Sequence, residues 1–195
     1  MSASASSETV ELSTTDCRGL VDAKTITVVL DGEDLQDVEE IAEARNQSYQ
    51  AGRTSDTNYT DSSGEDVHIT GIKAEKAFAK IYEEGSIDRS ISASGDDGTD
   101  AEVLIGDELH SVDIKSSRYD EPWLLVKQGF SHEEADVFVA ASVQGNVVEF
   151  YGWMKSDVVC QESNLEESPA SGQTHQNYTI KSTERYMRMP EPDVE

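Results

Sequence analysis

The residues in this chain best suited to chemistry are two aspartates and a lysine, Asp100, Asp113 and Lys115, in the stretch D-A-E-V-L-I-G-D-E-L-H-S-V-D-I-K. Apolar and polar residues alternate on both sides of Gly106-Asp107, the pattern of two antiparallel strands joined by a tight turn. A two-residue turn there sets Ile105 opposite Glu108, Leu104 opposite Leu109 and Asp100 opposite Asp113. Side chains alternate across a strand, so Lys115 shares a face with Asp113, while Ala101, Val103, Ile105, Val112 and Ile114 go to the other, core-like face. Facing carboxylates across a ladder lie roughly 4.5–5.5 Å apart at Cβ and repel. A divalent cation between them removes that repulsion. Mg²⁺ is commonly held by one or two carboxylates together with waters and phosphate oxygens. Lys115 stands where it could orient or deprotonate a water on such an ion, or steady a phosphate. A polar sheet face in a very acidic chain would spell the same letters, so both readings stay open at this point.

A fourth ionisable group comes from a predicted helix over Thr70–Gly85, with Thr70 as its cap and Gly85 as its stop. Ile72, Ala74, Phe78, Ile81 and Tyr82 form its apolar stripe, and Glu75 falls within that stripe. An inward glutamate costs free energy unless it is paired or binds a metal. It could also sit at the stripe's edge, reach water, or pair with a lysine. Asp96 and Asp97 compete with Asp100 for the role of first acid, but they fit turn positions beside Gly98. Ser116, Ser117 and Arg118 follow Lys115 and are candidate phosphate contacts, though serines after a strand often satisfy backbone instead.

Around these residues the chain reads as follows. Residues 1–20 form a flexible tail rich in Ser, Thr and Glu. A strand spans Lys24–Leu30 and a helix Leu35–Tyr49, followed by a loop over Ala51–Asp66. Trp123–Val126 reads as a short buried strand or core anchor. Ala135–Val143 and Val147–Met154 form a second hairpin around Gln144-Gly145-Asn146, and Lys155–Val159 a helical turn. Residues 161–177 look like a mobile acidic loop, and Tyr178–Tyr186 like a last strand or short helix. One domain over 21–189, with tails at 1–20 and 190–195, accounts for the length of 195 residues.

No run of 18 apolar residues exists to span a membrane, and the N-terminus lacks the basic start and apolar core of a secretory signal. Cys17 and Cys160 are too few for a disulfide framework, so an intracellular setting is expected. His68, His110, His132 and His175 share no ligand-like spacing that would suggest zinc. With 40 acidic residues against 15 basic, the net charge is −25. A DNA-binding protein at moderate salt is expected to be basic. At 1 M salt, however, the Debye length shrinks to about 3 Å and acidic surface keeps a chain soluble. The acids are spread along the whole chain and lysine is sparse, a composition that resembles proteins of extremely halophilic archaea or their viruses.

Taken together, Glu75 on a helix, Gly98-Thr99-Asp100 opening a strand, and V-D-I-K-S-S over Val112–Ser117 resemble the PD-(D/E)XK nuclease superfamily, which includes many restriction endonucleases and Holliday-junction resolvases. R-Y-D-E-P-W-L-L-V, A-D-V-F-V-A-A-S-V and Y-G-W downstream are similar to its later strands, so the likeness covers roughly residues 70 to 155. Thr99 stands where the family name has proline, and the second acid is Asp rather than the commoner Glu. The resemblance implies an α/β (α+β) fold, a restriction endonuclease-like core with a mixed, mostly antiparallel sheet flanked by helices. It also implies Mg²⁺ or Mn²⁺ on Asp100, Asp113, the Ile114 carbonyl and Glu75, activation of the attacking water by Lys115, and DNA as substrate. The setting would be the cytoplasm of an archaeal cell or infected host, with homodimerisation left open. Two other readings are a catalytically inactive interaction module of the same fold and an acidic DNA mimic. The mimic requires acids clustered on one face at phosphate-like spacing.

Overall fold

The computed structural model describes residues 25–52, 64–82, 99–105, 108–129, 135–167 and 176–189. Its centre is V-F-V-A-A-S-V, seven consecutive residues that are all buried. A strand buried on both faces needs a layer on each side, and the chain supplies a helix on one and a second sheet on the other. This strand, β5 (Val137–Gln144), turns at Gly145-Asn146 into β6 (Val147–Lys155). Gly145 has φ +64°, a left-handed conformation that glycine adopts without a Cβ penalty. With β1 (Ile26–Val29), β2 (Ala101–Ile105) and β3 (Glu108–Ser117), these strands form a five-stranded sheet in the order β1-β6-β5-β3-β2. The β3–β5 pair is parallel and the other three pairs are antiparallel. The fold is therefore α+β with a mixed sheet, as expected.

Two helices lie beside the sheet. Helix α1 (Gly32–Gly52) starts on a reciprocal cap: Asp31 Oδ1 accepts from the Glu33 and Asp34 N–H groups, and Asp34 Oδ2 accepts from the Asp31 N–H. Helix α2 (Gly64–Ile81) packs Ala74, Ala77 and Phe78 against Val112, Ile114, Val137 and Val139. It begins earlier than the predicted Thr70, which is buried inside it. The extra turns carry Ile69, which joins Ile72 against Val38, Ile41 and Ala42 of α1, so packing between the helices overrides the local cap signal. Gly85 and the Gly106-Asp107 turn lie outside the described residues, as do residues 1–24 and 190–195. Among the described residues, no helix is long and apolar enough to cross a membrane.

The second layer is a three-stranded sheet, β4 (Leu124–Lys127), β8 (Gln176–Ile180) and β7 (Leu165–Glu167), in the order β4-β8-β7. Leu124, Val126 and Ile180 pack beneath it against Phe138, Ala140 and Met154 of the large sheet. The expected loop over 161–177 is thus corrected in part. Glu162–Asn164 form a 3-10 turn and 165–167 a strand, because β8 offers Leu165 a partner at Tyr178. Residues 168–175 lie outside the description. The short helix α3 (Ser156–Val159) stands where a helical turn was predicted. Both alternatives for Tyr178–Tyr186 occur, the end of β8 and then a 3-10 turn over Thr183–Arg185. Trp123, expected in the core, is half exposed: Leu124 and Val126 take the inward positions and put it on the outer face.

Candidate active site

The register of the first hairpin is the one the alternation predicts: Ile105 pairs with Glu108, Leu104 with Leu109 and Ala101 with Val112. Val103, Val112 and Ile114 are buried on the helix side, as expected. Asp113 pairs with Phe138 and Lys115 with Ala140 in the parallel ladder, so these two project toward the layer that the small sheet covers. Asp113 is 4% exposed, and its Oδ2 lies 2.6 Å from Lys115 Nζ.

Asp100 stands one residue before β2 and wraps around the same strand. Its N–H donates to the Val112 carbonyl, and its Oδ2 accepts from the Ile114 N–H at 2.6 Å. It therefore grips the residues on both sides of Asp113. Burial pushes the Asp100 carboxyl up to about 8, with further upward push from the charges of Asp113 and Glu75. The Ile114 N–H and the Lys115 ammonium oppose that shift but do not cancel it. A second carboxylate and a third are close enough to be felt, in surroundings that screen them weakly.

Glu75 is buried on α2, as the stripe position implied. Its partner is Arg45 of α1: Nη1 donates to Oε1 at 3.1 Å and Nη2 to Oε2 at 2.9 Å. This two-pronged pair occupies both carboxylate oxygens. Sequence reasoning considered a lysine partner and missed Arg45, because the two residues are 30 positions apart and meet only once α1 packs on α2. The signal available was an arginine near the end of a helix that otherwise carries six acids.

The three residues after Lys115 leave the core. Ser116 and Ser117 are partly exposed, and Arg118 is exposed. Ser117 Oγ accepts from the Tyr119 N–H, and the Arg118 carbonyl accepts from Gln144 Nε2. Ile114 contributes its N–H to Asp100, while the expectation concerned its carbonyl.

The structure thus brings Asp100, Asp113 and Lys115 together and sets Glu75 within electrostatic reach. Among the described residues, no group of three or more His, Cys, Asp or Glu side chains is arranged to hold a metal. Two carboxylates fit the modest protein contribution that Mg²⁺ takes when waters and phosphate oxygens complete its shell. The elevated Asp100 carboxyl indicates a place where a cation would relieve charge crowding. No family profile, no characterised protein and no solved structure matches this chain.

Proposed function

We propose that this chain is a metal-dependent deoxyribonuclease of the PD-(D/E)XK kind, with a restriction endonuclease-like core, working in concentrated salt in DNA repair, recombination or restriction. The observation that carries the reading is the enclosure of Asp100 and Asp113 around one segment of β3, with Lys115 Nζ 2.6 Å from Asp113. Enclosing these carboxylates together costs folding free energy through burial and mutual repulsion.

Asp100, Asp113 and the Ile114 carbonyl would hold Mg²⁺ or Mn²⁺. When bound, the ion would neutralise charge on the scissile phosphate and lower the pKa of water. Lys115 orients the attacking water for in-line displacement. Glu75, fixed by Arg45, supplies negative charge behind the pair and takes the role of direct ligand only if that guanidinium lets go. Ser116, Ser117 and Arg118, on the strand leaving the site, contact the DNA backbone.

The test is cleavage of plasmid and oligonucleotide DNA in molar KCl with Mg²⁺ or Mn²⁺. Metal-dependent cutting that disappears in Asp113→Ala and in Lys115→Ala supports the reading. Intact DNA after incubation with folded, metal-loaded wild type would sink it. The bidentate Arg45–Glu75 pair favours the second reading, a catalytically inactive module of the same fold, since it satisfies Glu75 without any ion. That reading expects no metal-induced rise in melting temperature at matched ionic strength.

A further inference from the structure

A surface away from the carboxylates has its own chemistry, the outward face of the β4–β8–β7 sheet. Leu124 and Val126 point inward, so Trp123, Leu125 and Lys127 share the outer face. Leu124 pairs with Ile180, which sets Lys181 beside Trp123 at the next rung. Lys181 Nζ sits 5.2 Å from the Trp123 ring centroid and 2.6 Å from Glu166 Oε2 of β7. Trp123 remains 47% exposed and Leu125 39%, and Tyr119, four residues before Trp123 in the chain, is 78% exposed. Trp123, exposed beside the placed Lys181 cation, suits a ligand with flat faces.

The charge of this region also differs from the rest. On the outer face Lys127 and Lys181 stand with Glu166, two basic side chains to one acidic, whereas the whole chain carries −25. Helix α1 has six acids to one base. A polyanion is repelled less at this face than at a face as acidic as α1. Aromatic stacking also keeps its strength where salt weakens phosphate contacts. The sheet is joined to the carboxylates as well. Its underside packs on Phe138 and Ala140, the ladder partners of Asp113 and Lys115, and Ser116–Pro122 run from Lys115 to Trp123.

We infer that this face is a stacking platform for unpaired DNA, with Trp123 and Tyr119 taking bases and Lys127 and Lys181 taking phosphates. The inference names the substrate form for the nuclease proposed above and depends on that reading for its purpose, but its binding is measured separately from cleavage. Trp153 is buried, so Trp123 is the exposed tryptophan of the two and reports directly. The experiment is a titration of the full chain with oligo(dT) in EDTA, read by tryptophan fluorescence and by anisotropy of a labelled strand. Saturable quenching, and an affinity about tenfold lower in Trp123→Ala, are expected. Lys127→Glu with Lys181→Glu weakens binding further, and a duplex of equal length binds more weakly. Equal affinity of wild type and Trp123→Ala, with both folded by circular dichroism, overturns the platform. So does sedimentation showing that a second copy of the chain covers Trp123. Oligo(dT) binding without cleavage on adding Mg²⁺ keeps the platform and removes the nuclease; cleavage of single strands unaffected by Trp123→Ala does the reverse.

Discussion

Two clusters in this molecule contain the same charges and behave in opposite ways. Beside the start of α1, Asp31, Asp34 and Asp37 meet Lys76 and Lys80. Beside β3, Asp100, Asp113 and Glu75 meet Lys115 and Arg45. Each has three carboxylates and two cations. Yet the Asp34 N–H, with help from Lys80 and the Glu33 N–H, holds the Asp31 carboxyl below its ordinary value, while burial and its neighbours lift Asp100 to about 8. At α1 the exposed Asp31 and the buried Asp34 cap free backbone donors at a helix start, and Lys76 and Lys80 meet Asp34 and Asp37. At β3 they are enclosed, with fewer donors to meet them. Composition does not decide whether a group of acids is structural; enclosure and the supply of N–H groups do.

The largest expected contrast is catalytic. Asp113→Ala should lower metal-dependent DNA cleavage on the order of a thousandfold, since ion-based charge stabilisation is worth several kcal/mol. Asp37→Ala, at the other cluster, should leave the rate unchanged. Parallel cleavage assays check this, and equal losses would erase the distinction. Next comes metal binding. At a hundred times its Kd, Mg²⁺ should raise the melting temperature by about 5–10 °C at matched ionic strength. Asp100→Asn should abolish that rise, and Lys80→Ala should retain it.

The pH dependence sharpens the comparison further. Asp100 binds its proton more tightly folded than unfolded, so its contribution is full below its ordinary pKa of 3.8 and is lost as pH rises toward about 8. Metal-free wild type should therefore lose stability over that window relative to Asp100→Asn. Asp31 has the opposite sign: its contribution is present above 3.8 and fades as pH falls below it. Denaturant melts of wild type, Asp100→Asn and Asp31→Asn across pH separate the two. The smallest effect belongs to the cap itself. Asp31→Ala should lower the denaturation midpoint slightly and Asp31→Asn much less, because Asn caps nearly as well.

The β2–β3 register was legible because alternation and a short turn admit one pairing that buries Val103, Val112 and Ile114. The β5–β6 hairpin was legible for a similar reason, two apolar runs around Gly145-Asn146. What escaped depended on distant partners. The start of α2 depends on Ile69 meeting α1, and strand β7 has Leu165 as its one apolar residue and exists through β8. The outward position of Trp123 escaped because L-L-V fits either phase until Ile180 fixes Leu124 inward. At the site, the inward glutamate and the two aspartates could be read from periodicity, whereas Arg45 could not.

The seven-residue apolar run at the centre of the large sheet has a consequence during synthesis. Before its covering layers form, V-F-V-A-A-S-V is an uncharged, β-prone segment of the kind that pairs with copies of itself. Asp136 and Lys155 stand at the outer ends of its hairpin, and the adjacent turn lets β6 pair with it soon after it leaves the ribosome. A nascent chain stalled before Val147 would carry this self-pairing stretch without its nearest shield.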